Sequence, residues 1–168
     1  GHAGTLSPFA FISETRTWFE GPILCSGSIS TGEGVLAARA MGADYAYIGS
    51  AFIATKEARA HEAYKQGIAE GSAEDIVYTN LFTGVHGNYL RSSIKQAGLD
   101  PDNLPESNPS MMDFRSGAKS DAKAWKNIWG SGQGIGAIQS VESTRDYIDR
   151  LYFEYQNAKG RICGCPYS

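Results

Sequence analysis

Apolar residues fall into two patterns along this chain. Residues 22–26 (Pro-Ile-Leu-Cys-Ser) and 43–48 (Ala-Asp-Tyr-Ala-Tyr-Ile) form short runs without clean polar alternation, as expected of parallel strands covered on both faces. Between them, Ser30 and Glu33 have capping-box spacing, and Val35, Leu36, Ala38, Ala40 and Met41 continue a helix that Gly42 can close in the left-handed conformation. The segment 22–50 therefore predicts a right-handed βαβ unit. Upstream, Ser7-Pro8 opens a helix over 9–19. Downstream, the pattern predicts helices over 57–70, closed by Gly71, over 73–78, capped by Ser72, and over 89–97, closed by Gly98. Turns follow through the Pro-, Asp- and Asn-rich residues 99–112. A helix over 121–128, capped by Ser120, precedes another over 144–157. In the latter, Ile148, Leu151, Tyr152 and Tyr155 form an i, i+3, i+4, i+7 stripe that needs a covering surface.

Two clear strands, four at most, stand among many helices. That is the inventory of part of a larger α/β fold, because two parallel strands close no sheet and a complete (β/α)8 barrel takes roughly 250 residues. Gly1-His2-Ala3-Gly4 reads like the middle of an active-site loop, which supports truncation. A small complete α/β domain is the alternative.

Composition narrows the function classes. The 168 residues are 42% hydrophobic and 20% charged, an ordinary globular balance. A net charge of -3 and a pI near 5.6 offer no general attraction to nucleic acid or anionic membranes. No run approaches the roughly 18 apolar residues of a membrane span, and no leader pattern opens the chain, so a cytoplasmic address is expected. Cys25 lies in a strand run and reads as a buried thiol. Cys163 and Cys165 lie in a tail whose C-x-C spacing lacks further ligands, so neither a disulfide framework nor a metal site is expected.

The candidate chemistry sits at strand ends. Gly27-Ser28-Ile29-Ser30 and Gly49-Ser50 follow consecutive parallel strands, where a phosphate monoester can collect backbone N–H donors and glycine permits close approach. Taken alone, both are equally well strand-ending turns. The run Gly130-Ser-Gly-Gln-Gly-Ile-Gly136 does not have the spacing of a dinucleotide fingerprint and follows a predicted helix instead of a strand. Trp125 and Trp129, at i and i+4, read as core. His61 reads as solvated on a charged helix, and His86 as a loop residue near the substrate side.

The ordered set of motifs is more specific than any member. Gly1-His-Ala-Gly4, Gly21-Pro-Ile-Leu-Cys-Ser-Gly-Ser-Ile29, Met41-Gly-Ala-Asp-Tyr-Ala-Tyr-Ile-Gly-Ser-Ala-Phe52, Gly87-Asn-Tyr-Leu90, Ala97-Gly-Leu-Asp-Pro-Asp-Asn-Leu-Pro105 and Ile128-Trp-Gly-Ser-Gly-Gln-Gly-Ile-Gly136 together resemble the nitronate monooxygenase (2-nitropropane dioxygenase) family. The likeness covers about residues 1–159. It implies the C-terminal part of an FMN-binding (β/α)8 TIM barrel with an additional helical segment. On this reading, residues 1–56 supply barrel strands, 57–118 a helical and loop excursion, 119–159 returning helices and 160–168 a tail.

The same resemblance implies that Gly1, Gly27, Ser28, Tyr47, Ile48, Gly49, Ser50 and Gln133 contact FMN. The family more often has a second glycine where Ser28 stands. The family's Gly-Gly-His-x-Gly motif, matched here without its first glycine, makes His2 the active-site histidine, deprotonating a nitroalkane or orienting a nitronate. The alternative for His2 is an expression-tag scar. The implied reaction oxidises alkyl nitronates with O2 to a carbonyl compound and nitrite. The rivals are an FMN-dependent enoyl reductase using NAD(P)H and a non-catalytic partial barrel that needs a missing half or a second copy.

Overall fold

The N-terminal third of the computed structural model is built around one parallel strand pair; residues 1–107 and 127–164 are described. Helix α1 (Pro8–Arg16) leads into β1 (Leu24–Ser26), α2 (Gly32–Ala40) and β2 (Tyr45–Tyr47). The two strands pair in parallel with Leu24 beside Tyr45, Cys25 beside Ala46 and Ser26 beside Tyr47. The predicted βαβ unit is thus present, with one correction at its cap. Thr31, one residue after the expected Ser30, caps α2 by accepting from the Gly34 N–H, while the Ser30 hydroxyl donates to the Gly134 carbonyl. Gly42 closes the helix at φ +108°.

Arg16 ties α1 to this unit. Its guanidinium donates to the carbonyls of Gly21 and Gly42 and pairs with Asp44 at 2.5 Å. Asp44 also accepts from the Ile23 N–H, and that bond, followed by Arg16, holds its carboxyl below the usual carboxylate range.

The sheet is covered on one face only. Cys25 is buried with Ile12, Ala38 and Ala43, whereas Leu24, Tyr45 and Tyr47 of the other face are each more than half exposed. This corrects the expectation of strands covered on both faces: among the described residues, nothing in this chain packs on the second face.

Downstream the chain departs further from expectation. A short helix α3 (Ser50–Ile53) follows β2, and α4 spans only Glu62–Ala69. Residues 57–61 are not helical, because Thr55 bridges to Glu142 and the Lys56 N–H donates to the Glu142 carbonyl. Ser72 and Asp75 do form a capping box, but only over the 3-10 turn Ala73–Asp75. The chain then enters β3 (Ile76–Thr79), which pairs antiparallel with β4 (Gly87–Leu90), so β3 takes the place of the helix expected over 73–78, while β4 takes only the first two residues, 89 and 90, of the helix expected over 89–97. Helix α5 (Arg91–Gln96) follows and ends at Gly98, at φ +83°. A second 3-10 turn covers Gln133–Ala137. The turns expected over 99–112 are seen as far as residue 107; the rest, the helix over 121–128 except its last two residues, Trp125 and Cys165 lie outside the described residues.

The final helix, α6 (Thr144–Cys163), is capped by Ser143 and packs on α2. Its buried face runs through Tyr147, Leu151 and Ala158, while Ile148 and Tyr152 stay exposed, so the predicted stripe is rotated. The cause is a close approach at Gly32, where a Cβ would lie 2.2 Å from the Tyr155 nitrogen and 2.3 Å from the Leu151 oxygen. The Gly32 N–H donates to Glu154, which Arg150 links to Glu142. The largest core cluster, with Ile68, Leu90, Ile135 and Tyr147 fully buried, joins these later elements behind the ends of β1 and β2. Among the described residues, no helix is long and apolar enough to cross a membrane.

Candidate functional site

The turn after β1 is held in an uncommon conformation. Gly27 has φ +112° and Ser28 has φ +57°, the only positive φ of a non-glycine residue among those described. Successive left-handed residues turn their backbone N–H groups into a concavity suited to an anion. The left-handed position costs an L-residue roughly 1–2 kcal/mol, which explains on physical grounds why glycine suits the position of Ser28. The turn is braced from behind: a Cβ on Gly134 would lie 2.8 Å from the Ser28 carbonyl carbon and 2.9 Å from its Cα.

The turn after β2 faces the same space. Gly49 has nothing within 4 Å of the position a Cβ would take, so this backbone borders open volume. The Ser50 hydroxyl accepts from the Gly132 N–H at 3.0 Å and from the Ser131 hydroxyl at 3.1 Å. Those bonds fasten the glycine run to the end of β2.

Together these turns enclose a cavity of about 210 Å³, lined by Gly1, His2, Ser26 to Ser30, Tyr47, Gly49, Ser50, Ile53, Gly130 to Gly132, Gly134 and Ile138. Among the described residues, no acidic side chain lines it. A second, larger cavity of about 810 Å³ adjoins it through Gly1, Ser26, Gly27 and Ser28, and runs beside α1 and β1 to Tyr78, Asn88 and Gln133. The first is smaller than a typical ligand pocket, about 300–1,000 Å³. It fits the end of a longer ligand whose body occupies the second.

Of the nine residues singled out by sequence, Gly1, His2, Gly27, Ser28, Tyr47, Gly49 and Ser50 line the first cavity. Gln133 lines the second, and the Ile48 side chain packs against the main core. Ser26, Ser30, Ser131, Gly132 and Gly134 were not singled out. The signal for the last three was present in the Gly-Ser alternation of 130–136.

His2 is held by β4 and the glycine run. Its carbonyl accepts from the Asn88 N–H at 2.7 Å, its Nδ1 lies 3.1 Å from the Asn88 carbonyl oxygen, and the Asn88 side chain donates to the Gly1 carbonyl at 2.6 Å. The ring meets Tyr89 edge-on at 5.2 Å. Cβ atoms on Gly87 and Gly130 would fall 3.2 Å from Nε2 and 2.6 Å from Nδ1, so the imidazole occupies a slot between two glycines. Tyr64 reinforces the slot by donating to the Gly130 carbonyl and stacking on Trp129 at 5.1 Å; burial pushes its phenol up to about 12. His61 caps α4 and stacks on Trp129, and His86 stacks on Tyr78. Among the described residues, no group of three or more His, Cys, Asp or Glu stands together as a metal site.

The model of a family described as nitronate monooxygenase matches residues 1–154. A nitronate monooxygenase of Paraburkholderia phytofirmans is 29% identical over 134 residues, covering 74% of this chain and 37% of that protein. Among solved structures, FabK from Thermotoga maritima superposes with a TM-score of 0.73 at 21% identity, covering 98% of this chain and 53% of that one. A nitroalkane oxidase from Streptomyces ansochromogenes gives 0.71 at 23% identity, covering 96% of this chain and 50% of its own. The chain therefore spans between about a third and a half of the proteins it resembles.

Proposed function

Because the chain belongs to the nitronate monooxygenase family, a family of oxidoreductases, we propose that it forms the flavin-phosphate half of an FMN-dependent (β/α)8 barrel oxidising alkyl nitronates. The observation that carries the cofactor assignment is the pair of strand-end turns, Gly27-Ser28 and Gly49-Ser50, converging on one small cavity free of acidic side chains. These residues fit a phosphate monoester: the left-handed turn offers consecutive N–H donors, serine hydroxyls surround it, and Gly49 leaves room for close approach. Tyr47 lines that cavity and Gln133 the larger one that adjoins it. The bare face of β1 and β2 is where further barrel strands would pack, with residues 1–56 as the strand-bearing part, 57–118 as the excursion and 119–159 as the returning helices.

When bound, FMN would supply the redox chemistry by which O2 oxidises the nitronate, one oxygen atom of O2 entering the carbonyl compound as nitrite leaves. The protein's part is binding, orientation and proton handling. Gly27, Ser28, Gly49 and Ser50 hold the phosphate end. His2 borders the same cavity, where its imidazole would accept the α-proton of a neutral nitroalkane.

Full-length protein purified with its flavin tests this reading. Anaerobic addition of a preformed alkyl nitronate should bleach the flavin, and readmitted air should restore the colour with release of nitrite. Bleaching by NAD(P)H alone would instead assign the enoyl reductase reading. Failure to retain any flavin would leave the partial, non-catalytic barrel.

A further inference from the structure

The slot around His2 has a consequence for the reaction, which rests on the function proposed above. The Asn88 carbonyl oxygen has no proton to give, so a hydrogen bond at 3.1 Å to Nδ1 requires the proton to sit on that nitrogen. The partner of one imidazole nitrogen fixes the state of the other. In the neutral ring, Nε2 then carries the lone pair. Free histidine in water favours the opposite tautomer, so the protein must impose this one.

Asn88 is equipped to impose it. The residue is 4% exposed and sits in β4, and its N–H, its side-chain amide and its carbonyl each contact the Gly1-His2 segment. Its N–H binds the His2 carbonyl, its side-chain amide binds the Gly1 carbonyl, and its own carbonyl meets the ring while also accepting from the Ser131 N–H. Gly87 and Gly130 then fix the ring laterally. We propose that Asn88 is the positioning residue for His2: it holds the Gly1-His2 backbone at the depth where the ring must bind through Nδ1–H, leaving Nε2 as the proton acceptor. The hairpin bearing Asn88 lies in the excursion outside the βαβ unit, so that excursion helps build the active site.

The test is the tautomer of His2, read in full-length protein carrying ¹⁵N-histidine by long-range ¹H–¹⁵N correlation, with a His2→Gln variant to assign the signal. The expected result is a predominantly Nδ1–H ring at a pH where it is neutral. A predominantly Nε2–H ring overturns the proposal without any variant having to fold. Asn88→Ala, which loses the bond to Gly1, should mix the two tautomers. It should also lower kcat on a neutral nitroalkane by roughly two- to tenfold with KM little changed, the worth of one net hydrogen bond. A folded Asn88→Ala protein with an unmixed Nδ1–H signal and unaltered kcat overturns the side chain's role. The spectroscopic result stands apart from the function: an Nδ1–H ring in a protein that oxidises no nitronate would reject the proposed reaction and keep the positioning.

Discussion

Gly130→Ala offers the sharpest test of whether His2 is a built part of the site. A Cβ there would lie 2.6 Å from both Cε1 and Nδ1 of His2, and its next neighbour, the Asn88 carbonyl oxygen, is an ordinary 3.5 Å away. Reaching a contact of about 3.4 Å means the ring withdraws by about 0.8 Å, enough to lengthen the 3.1 Å bond to Asn88 beyond use. Misplacement of a catalytic group by about 1 Å costs on the order of 10²-fold in rate. Gly87→Ala is the internal control, since its Cβ would sit 3.2 Å from Nε2 and asks for about 0.2 Å of movement. Its effect should stay within a few fold.

The assay is oxygen consumption by the full-length protein on a neutral nitroalkane and on the corresponding preformed nitronate. Proton abstraction by a positioned base is worth roughly 10² to 10⁴, and the nitronate has already lost that proton. Gly130→Ala should therefore slow the nitroalkane about a hundredfold and the nitronate much less. A double-mutant cycle isolates the cause: in a His2→Ala background there is no ring to displace, and Gly130→Ala should add almost nothing. An equal, additive loss in both backgrounds would refute the slot and trace the effect to the loop backbone or to the flavin.

Four further outcomes are expected. Gly49→Val points a branched side chain into open volume, so FMN affinity should fall in a binding titration while the thermal midpoint stays put; unchanged affinity would remove Gly49 from the phosphate site. Gly134→Ala presses on the Ser28 backbone from 2.8 Å and should weaken FMN through a distorted turn, an effect that equal flavin retention would exclude. Ser28→Gly trades the cost of a left-handed L-residue against glycine's greater freedom in the unfolded chain, so urea denaturation should show a change within about 1 kcal/mol; a loss of several would mean that the side chain does more than occupy the turn. Asp44 has a lowered folded-state pKa, so its contribution is present above roughly pH 4 and is lost as acid protonates it; Asp44→Asn should flatten the acid limb of the stability profile, and an unchanged limb would rule Asp44 out.

The parts legible in the sequence are those whose signal is local. The βαβ unit shows because two apolar runs flank a helix with a glycine stop, and both strand-end turns could be placed from it. The hairpin of β3 and β4 did not show. Its strands are four residues each, too short for alternation to register, and Ser72 with Asp75 is a true capping box that opens only one 3-10 turn. The same limit explains the rotated stripe of α6, because Gly32 selects the buried face from another element. His61 caps α4 through a local bond from the Ala63 N–H and stacks on Trp129 through a tertiary contact, neither of which helix periodicity encodes.

The glycine run that fails as a dinucleotide fingerprint has its own physical logic. Gly130, Gly132 and Gly134 alternate, and the Cβ direction of each points at a different part of the site: the His2 ring at 2.6 Å, the Gly1 backbone at 3.7 Å and the Ser28 backbone at 2.8 Å. The residues between them face elsewhere, Ser131 buried against Ser50 and Gln133 toward the larger cavity. One short segment thus lies flat against the histidine, the loop that carries it and the Gly27-Ser28 turn, with the end of β2 fastened at its middle. A Cβ at position 130 or 134 would hold it off that surface. The spacing between the His2 ring and the Gly27-Ser28 turn is set by backbone contact along this segment, which is why the spacing of the glycines matters more than their number.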